Sequence, residues 1–231
     1  MAPPPPRTYT TDVVMVDGTA IRTTVTNSGA AVERFFRGVI RNNPRHLLVG
    51  IDTEWRVVFD PNGKRSYRTA VLQLCVGRRC LVFQIVHADY VPTIALADFF
   101  ACPDHRFAGV EVSGDFKRLY EDYGFEVTNT VELKSVAAEV FCRPELKQAG
   151  LKTLTREVMG VLIDKPKRVT MSRWDAYRLS QEQVDYACID AFTSYEVARL
   201  LLSGQCAGEG LSTAAATTNS SPSVSSVVHV R

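Results

Sequence analysis

Asp52 and Glu54 stand two residues apart in LLVGIDTEW (47–55), Asp115 lies in GVEVSGDFKRL, and Asp190 in YACID. Carboxylates collected from distant points of a chain repel one another unless a cation neutralises them. A ligand set made of hard oxygens, with little nitrogen or sulfur, suits Mg²⁺ or Mn²⁺ rather than zinc. Two such ions held by acidic side chains stabilise both the attacking and the leaving oxygen of a phosphodiester. The chemistry indicated is hydrolysis of a phosphodiester with two metal ions.

Each residue also has a plainer role. A D-x-E pair alone usually marks a solvated strand end. Here it follows LLVGI, the continuous apolar run of a strand covered on both faces. At the end of such a strand, period-two geometry sends Asp52 and Glu54 to one side of the sheet. Asp115 opens a helical repeat (Phe116, Leu119, Tyr120, Tyr123), where N-capping is its simplest role. Capping is compatible with metal binding if that helix starts near the tip of the first central strand. Tyr186 and Asp190 are four apart, one turn along a helix face. Asp190 is set among apolar neighbours (CIDAF), and a buried carboxylate needs a partner, which a metal ion supplies.

The elements that must position these residues follow from periodicity. VVMV, Asp17-Gly18 and TAIRTTVT read as a hairpin with a type I′ turn. Residues 30–41 carry apolar side chains at 32, 35, 36, 39 and 40, one face of a helix that Asn43-Pro44 ends. HLLVGID, TAVLQLCVG and RRCLVFQIV form an antiparallel meander, with a turn at Gly77-Arg78-Arg79. Pro92 starts a helix through Phe100. FAGVEV is a strand running straight into the helix of DFKRLYEDYG, and from Thr130 onward the pattern is helical almost throughout. Strands first and helices later predict an α/β fold, a mixed central sheet flanked by helices.

Composition bounds the rest. The 231 residues are 45% hydrophobic with a net charge of +2, enough for one sizeable domain. Residues 1–7 form a proline-rich arm, extended and mobile, and 8–203 the folded domain. Residues 204–231, rich in Ser, Thr and Ala, bury too little to offset their ordering entropy and are expected to be disordered. Six cysteines lack any C-x-x-C pair, and Cys75, Cys80 and Cys188 fall inside apolar patterns. Free buried thiols imply a reducing compartment. With no secretory signal and no apolar run long enough to cross a bilayer, the expectation is an intracellular protein, nuclear or cytoplasmic, with no membrane contact.

The combination of D-x-E after a buried strand, a later Asp at a helix start and Tyr-x-x-x-Asp on the last helix resembles the DEDD exonuclease superfamily, in its DEDDy branch. AVLQLCVGRRCLVFQ (70–84), GLKTL (150–154), DKPKR (164–168), SRW (172–174) and LSQEQVDYACIDAFTSYEV (179–197) are similar to the RNase D and Werner-like exonucleases, plant members above all. The resemblance spans roughly residues 8–203. It implies an RNase H-like (DnaQ-like) fold and 3′-5′ hydrolysis releasing nucleoside monophosphates. Carried over, Asp52, Glu54 and Asp190 hold the metal on the nucleophile side, and Asp52 bridges to a second ion that Asp115 assists through water. Tyr186 orients the attacking water and takes the place of the histidine of the DEDDh branch. Glu111 departs from the small or apolar residue expected there. It is either a fifth carboxylate at the site or a surface charge.

Charge supports a polyanionic substrate locally. Between Phe141 and Arg178 nine Lys/Arg stand against four Asp/Glu. Lys165, Lys167 and Arg168 cluster in an inter-helix loop suited to phosphate contacts, with Arg173 nearby, whereas Arg143, Lys147 and Arg156 fit a solvated helical surface equally well. Trp55 directly follows the acids and suits stacking against a terminal base, whereas Trp174 reads as a core anchor. The partners expected are DNA or RNA 3′ ends, with a helicase or repair protein as a further one. The competing reading is a catalytically weak nucleic-acid-binding module on the same scaffold.

Overall fold

The computed structural model describes residues 5–43, 46–59 and 61–206. Its strands are β1 (Thr8–Val14), β2 (Ala20–Thr26), β3 (Leu47–Phe59), β4 (Arg65–Val76), β5 (Arg79–Phe83), β6 (His105–Gly109) and β7 (Thr130–Glu132). They form one sheet in the order β1-β2-β5-β4-β3-β6-β7. β3, β4 and β5 are the expected antiparallel meander. β2 joins it parallel to β5, and β6 and β7 continue it parallel to β3. The sheet is therefore mixed, as the strand pattern indicated.

Both faces are covered, which explains the continuous apolar runs of the central strands. Helices α1 (Gly29–Asn42), α2 (Thr93–Ala101) and α3 (Val112–Tyr123) bury Val32, Phe36, Phe99 and Phe116 against Val49, Ile51 and Phe107. Phe36 and Phe99 stack at 4.3 Å between ring centroids. On the other face lie α4 (Leu133–Val140), α5 (Leu151–Met159) and α7 (Gln181–Ser203), with the single turn α6 (Lys167–Thr170) between the last two. Their core includes Leu133, Leu154, Trp174, Val184 and Ala187 against Val71 and Val82.

α7 is buried on nearly every side, the mark of a central helix. Its start is set by a capping box in which Ser180 Oγ accepts from Gln183 N at 3.2 Å and Gln183 Oε1 accepts from Ser180 N at 2.9 Å. It crosses β3 at Gly50, where a Cβ would stand 2.0 Å from the Ala191 carbonyl oxygen and 2.4 Å from Tyr195 N. Only glycine permits that approach.

Several expectations are corrected. The first hairpin is not type I′, because only Gly18, at φ +83°, is left-handed. Gly18 N donates to Met15 O and Met15 N to Thr19 O, both at 2.9 Å, closing a three-residue loop with the glycine at its left-handed position. β3 does not end at Asp52 and Glu54 but continues to Phe59. β6 stops at Gly109 rather than running through FAGVEV, and α3 begins at Val112. β7 and α6 were not foreseen, and α6 holds Lys167 and Arg168 on a helical turn where a loop was expected.

Of the arm expected over 1–7, the described part is tied down. Arg7 N donates to Asn27 Oδ1 at 2.5 Å and Tyr177 Oη to Pro5 O at 3.2 Å. The tail expected over 204–231 lies outside the described residues from 207 on. All six cysteines are free, with Cys75, Cys80 and Cys188 buried as expected. Among the described residues no helix is long and apolar enough to cross a membrane.

Candidate active site

β3 and α7 supply the centre of the site. Asp52 and Glu54 project from β3 toward α7. Around the Gly50 crossing α7 presents Asp190, with Tyr186 one turn earlier. Carboxylate oxygens of Asp52, Glu54 and Asp190 all lie within 4.8 Å of one another. Glu54, Asp190 and Tyr186 are buried. Asp52 keeps some exposure, at a cavity of about 280 Å³ that Gln148, Lys165 and Ser194 also line.

Asp115 reaches the same neighbourhood from α3. It is not the helix cap, a position Glu111 takes at φ +59° with no side-chain capping bond. Asp115 instead sits in the first turn, buried, and its Oδ1 accepts a 2.5 Å hydrogen bond from Thr53 Oγ1. Thr53 lies between the two β3 acids and faces the opposite side of the strand, so the D-T-E run serves both faces. Asp115 is not one of the three carboxylates that converge within 4.8 Å. The alternatives for Glu111 resolve toward a surface charge: its side chain is 79% exposed and pairs with Lys134 at 3.2 Å.

The electrostatics show what this assembly lacks. Burial first, then the charges of Asp190 and Asp115, push Asp52 well above the usual carboxylate range. Burial and Asp52 lift Glu54 to about 10, and burial lifts Asp115 to about 6. Asp190 is raised by burial although Lys165 opposes the shift. Lys165 Nζ is 2.6 Å from Asp190 Oδ2, yet among the described residues no donor meets that buried oxygen at hydrogen-bonding angles. Burial lowers the pKa of Lys165, but Asp190 and Asp52 outweigh it and leave it raised. One ammonium does not balance this group of acids. The donor set is all oxygen and fits a hard divalent ion.

The three basic residues expected to act together are separated. Lys165 turns into the acid cluster and also lies 5.2 Å from the Tyr186 ring centroid. Arg168 grips both carboxylate oxygens of Glu182 on the surface. Lys167 is exposed at the start of α6. Trp55 follows a bulge between Glu54 and Trp55, meets the Tyr67 ring edge-on at 4.5 Å, and lines a cavity of about 290 Å³ with Met171, Arg173 and Trp174. Trp174 is the core anchor expected of it, 1% exposed and 5.9 Å from the Tyr186 ring.

Thr53 and Gln73 were missed. Gln73 lies opposite Asp52 in the β3–β4 register and is fully buried, and neither amide atom has a partner among the described residues. The signal for it is a glutamine inside the apolar strand AVLQLCV.

A family model described as 3′-5′ exonuclease matches residues 31–203. A 3′-5′ exonuclease of Arabidopsis thaliana is 30% identical over 155 residues, 67% of this chain and 52% of that protein. The bifunctional 3′-5′ exonuclease/ATP-dependent helicase WRN of Mus musculus is 35% identical over 149 residues, 63% of this chain and 10% of that one. The chain thus spans about half the length of the first relative and a tenth of the second. Among solved structures, Escherichia coli RNase D superposes with a TM-score of 0.64 at 17% identity, covering 78% of this chain and 44% of that one. The Aedes aegypti Nibbler EXO domain gives 0.62 at 19% identity, covering 78% and 87%. The fold is the RNase H-like fold of these exonuclease domains.

Proposed function

We propose, from the premise that this chain belongs to the 3′-5′ exonuclease family, that it is a DEDDy-type enzyme using two Mg²⁺ or Mn²⁺ ions to release nucleoside monophosphates from DNA or RNA 3′ ends. The observation that carries this reading is the meeting of Asp52, Glu54 and Asp190 within 4.8 Å, at a place where their charges have no sufficient counter-ion.

Asp52, Glu54 and Asp190 would hold the metal, with Asp115 assisting from α3. When bound, the ions lower the pKa of a water and stabilise the charge on the leaving oxygen. Tyr186 orients the attacking water and the scissile phosphate. Burial and the nearby Asp190 hold its pKa up, so its hydroxyl donates a hydrogen bond and does not act as a base. Lys165, kept charged by its acidic neighbours, exchanges Asp190 for a substrate phosphate once the acids are otherwise neutralised. Lys167 meets phosphate farther along, with Arg168 beside it, and Trp55 packs against the terminal base. Because the mouse relative carries a helicase in the same chain as its exonuclease, a helicase is the partner class to seek.

The test is incubation of the purified protein with a 5′-labelled single strand in Mg²⁺ or Mn²⁺. Stepwise shortening from the 3′ end, lost with EDTA and on Asp52→Asn, is expected. A strand left intact under both metals favours a binding module that does no chemistry.

A further inference from the structure

β3 and β4 run on well past the acids as a two-stranded ribbon, and the bulge beside Glu54 decides which way its faces point. The register passes from Glu54↔Val71 to Trp55↔Thr69, leaving Ala70 as the extra residue on β4. A bulge re-aims the side chains beyond it. Past this one, Arg56 pairs with Arg68, and Arg68 turns to Asp122 of α3 at 3.4 Å. The opposite face therefore carries Trp55, Val57 with its partner Tyr67, and Phe59 with its partner Arg65. Trp55 and Val57, together with their neighbour Arg56, line a cavity with residues 170–175, where Trp174 lies 5.9 Å from the Tyr186 ring.

That face has the makings of a track. Phe59 is 68% and Tyr67 41% exposed, and neither is needed to close a core. The Arg65 guanidinium lies 4.9 Å over the Tyr67 ring, which places a cation beside it. Across the groove stand Met171, 68% exposed, and Arg173, whose side chain is 85% exposed with only a 3.6 Å contact to Asp175. Aromatic faces alternating with guanidinium groups, starting next to a cluster of acids, suit a single nucleic-acid strand: stacking holds its bases and the arginines its phosphates.

Resting on the exonuclease reading above, we propose that the β3–β4 ribbon beyond the bulge is the binding track for the single strand 5′ of the scissile bond, with Tyr67 and Phe59 stacking its bases and Arg65 and Arg173 contacting its phosphates. Phe59 lies five positions beyond Glu54. At about 3.3 Å per residue they span about 16 Å, the length of roughly four to five stacked nucleotides. Phe59, at the far end of the track, is thus beyond the reach of a dinucleotide whose scissile bond lies at the acids.

The experiment compares the full chain with Phe59→Ala on two substrates, a dinucleotide and a 20-nucleotide single strand, in Mn²⁺, after matching thermal denaturation curves. Binding of the labelled 20-mer is measured by anisotropy in the Asp52→Asn background. The variant is expected to lose about ten-fold in kcat/KM and in affinity on the 20-mer and to cut the dinucleotide at an unchanged rate. Phe59→Trp should restore most of the loss. An equal loss on both substrates, or no loss of 20-mer affinity, overturns the track. If the unaltered protein cuts neither substrate, the exonuclease reading fails on its own, and the anisotropy arm still decides whether the ribbon binds the strand.

Discussion

Gly50→Ala tests whether the site depends on the close crossing of α7 over β3. The new methyl carbon would stand 2.0 Å from the Ala191 carbonyl oxygen and 2.8 Å from Tyr195 Cβ, where ordinary contact begins at 3.4 Å. The obstacle is helix backbone, so no side-chain rotation relieves it. α7 must retreat from β3 by on the order of 1 Å, and Asp190 adjoins Ala191, so it retreats with the helix. Overpacking of this kind costs about 1–3 kcal/mol of stability. A misplacement near 1 Å at a reacting centre costs about 10²-fold in rate, and Mg²⁺ demands near-ideal ligand distances. The variant is expected to fold, with a lower Tm, and to lose both Mn²⁺ affinity by calorimetry and about 10²-fold or more in turnover. Gly114→Ala is the control: its Cβ would meet nothing nearer than Arg118 at 3.9 Å, and in a helix it should stabilise by about 0.5–1 kcal/mol. A folded Gly50→Ala protein with unaltered metal affinity and turnover would refute the idea that this crossing sets the distance between Asp190 and the β3 acids.

The metal-free protein should lose stability as pH rises between about 6 and 9. Glu54 is raised from 4.5 to about 10, so the folded state holds its proton more tightly than the unfolded one, and that advantage, full below pH 4.5, drains away on the way to 10. Added Mn²⁺ should flatten the Tm profile by neutralising the same acids, and a metal-free Tm that climbs over this window contradicts the burial of charge described for the site. Tyr186→Phe should reduce turnover by about 10²-fold with Mn²⁺ affinity preserved in calorimetry; equal turnover removes the hydroxyl from the mechanism. Ser180→Ala breaks the α7 capping box and should cost about 1 kcal/mol in urea denaturation, with a Cm indistinguishable from that of the parent counting against it.

What was legible in the chain is what a local period encodes. The run LLVGI required a covered strand, which put Asp52 and Glu54 on one face, and the four-residue spacing of Tyr186 and Asp190 needed only a helix. The features that escaped depend on partners far away in sequence. Whether a bulge follows Glu54 is decided by the count of residues on β4, not by β3. β7 is three residues long, too short to express any alternation, and exists because β6 offers an edge. Glu111 read as a strand residue because GVEV alternates, but α3 must leave β6 sharply and Glu111 takes the left-handed turn that allows it. Lys165 read as one of a phosphate-contacting trio, and only the position of Asp190 turns it inward.

Lys165 also bears on how the site tolerates its own charge. Four carboxylates raised by burial cost stability in proportion to the charge they carry, and three of them sit on β3 and α7, the elements at the centre of the fold, with Asp115 in the first turn of α3. Those elements can bear the cost because their apolar sides are packed on both faces of the sheet. That rigidity also keeps the acids from relieving their repulsion by moving apart. Lys165 is held differently, on the connection between α5 and α6, and takes up only part of the imbalance. The arrangement therefore fixes the acids and leaves the compensating cation on the more adaptable segment. Were a divalent ion to bind, Asp52, Glu54 and Asp190 would hold it from rigid elements while Lys165 gave way, the order of rigidity expected where metal binding must be tight in geometry and reversible in charge.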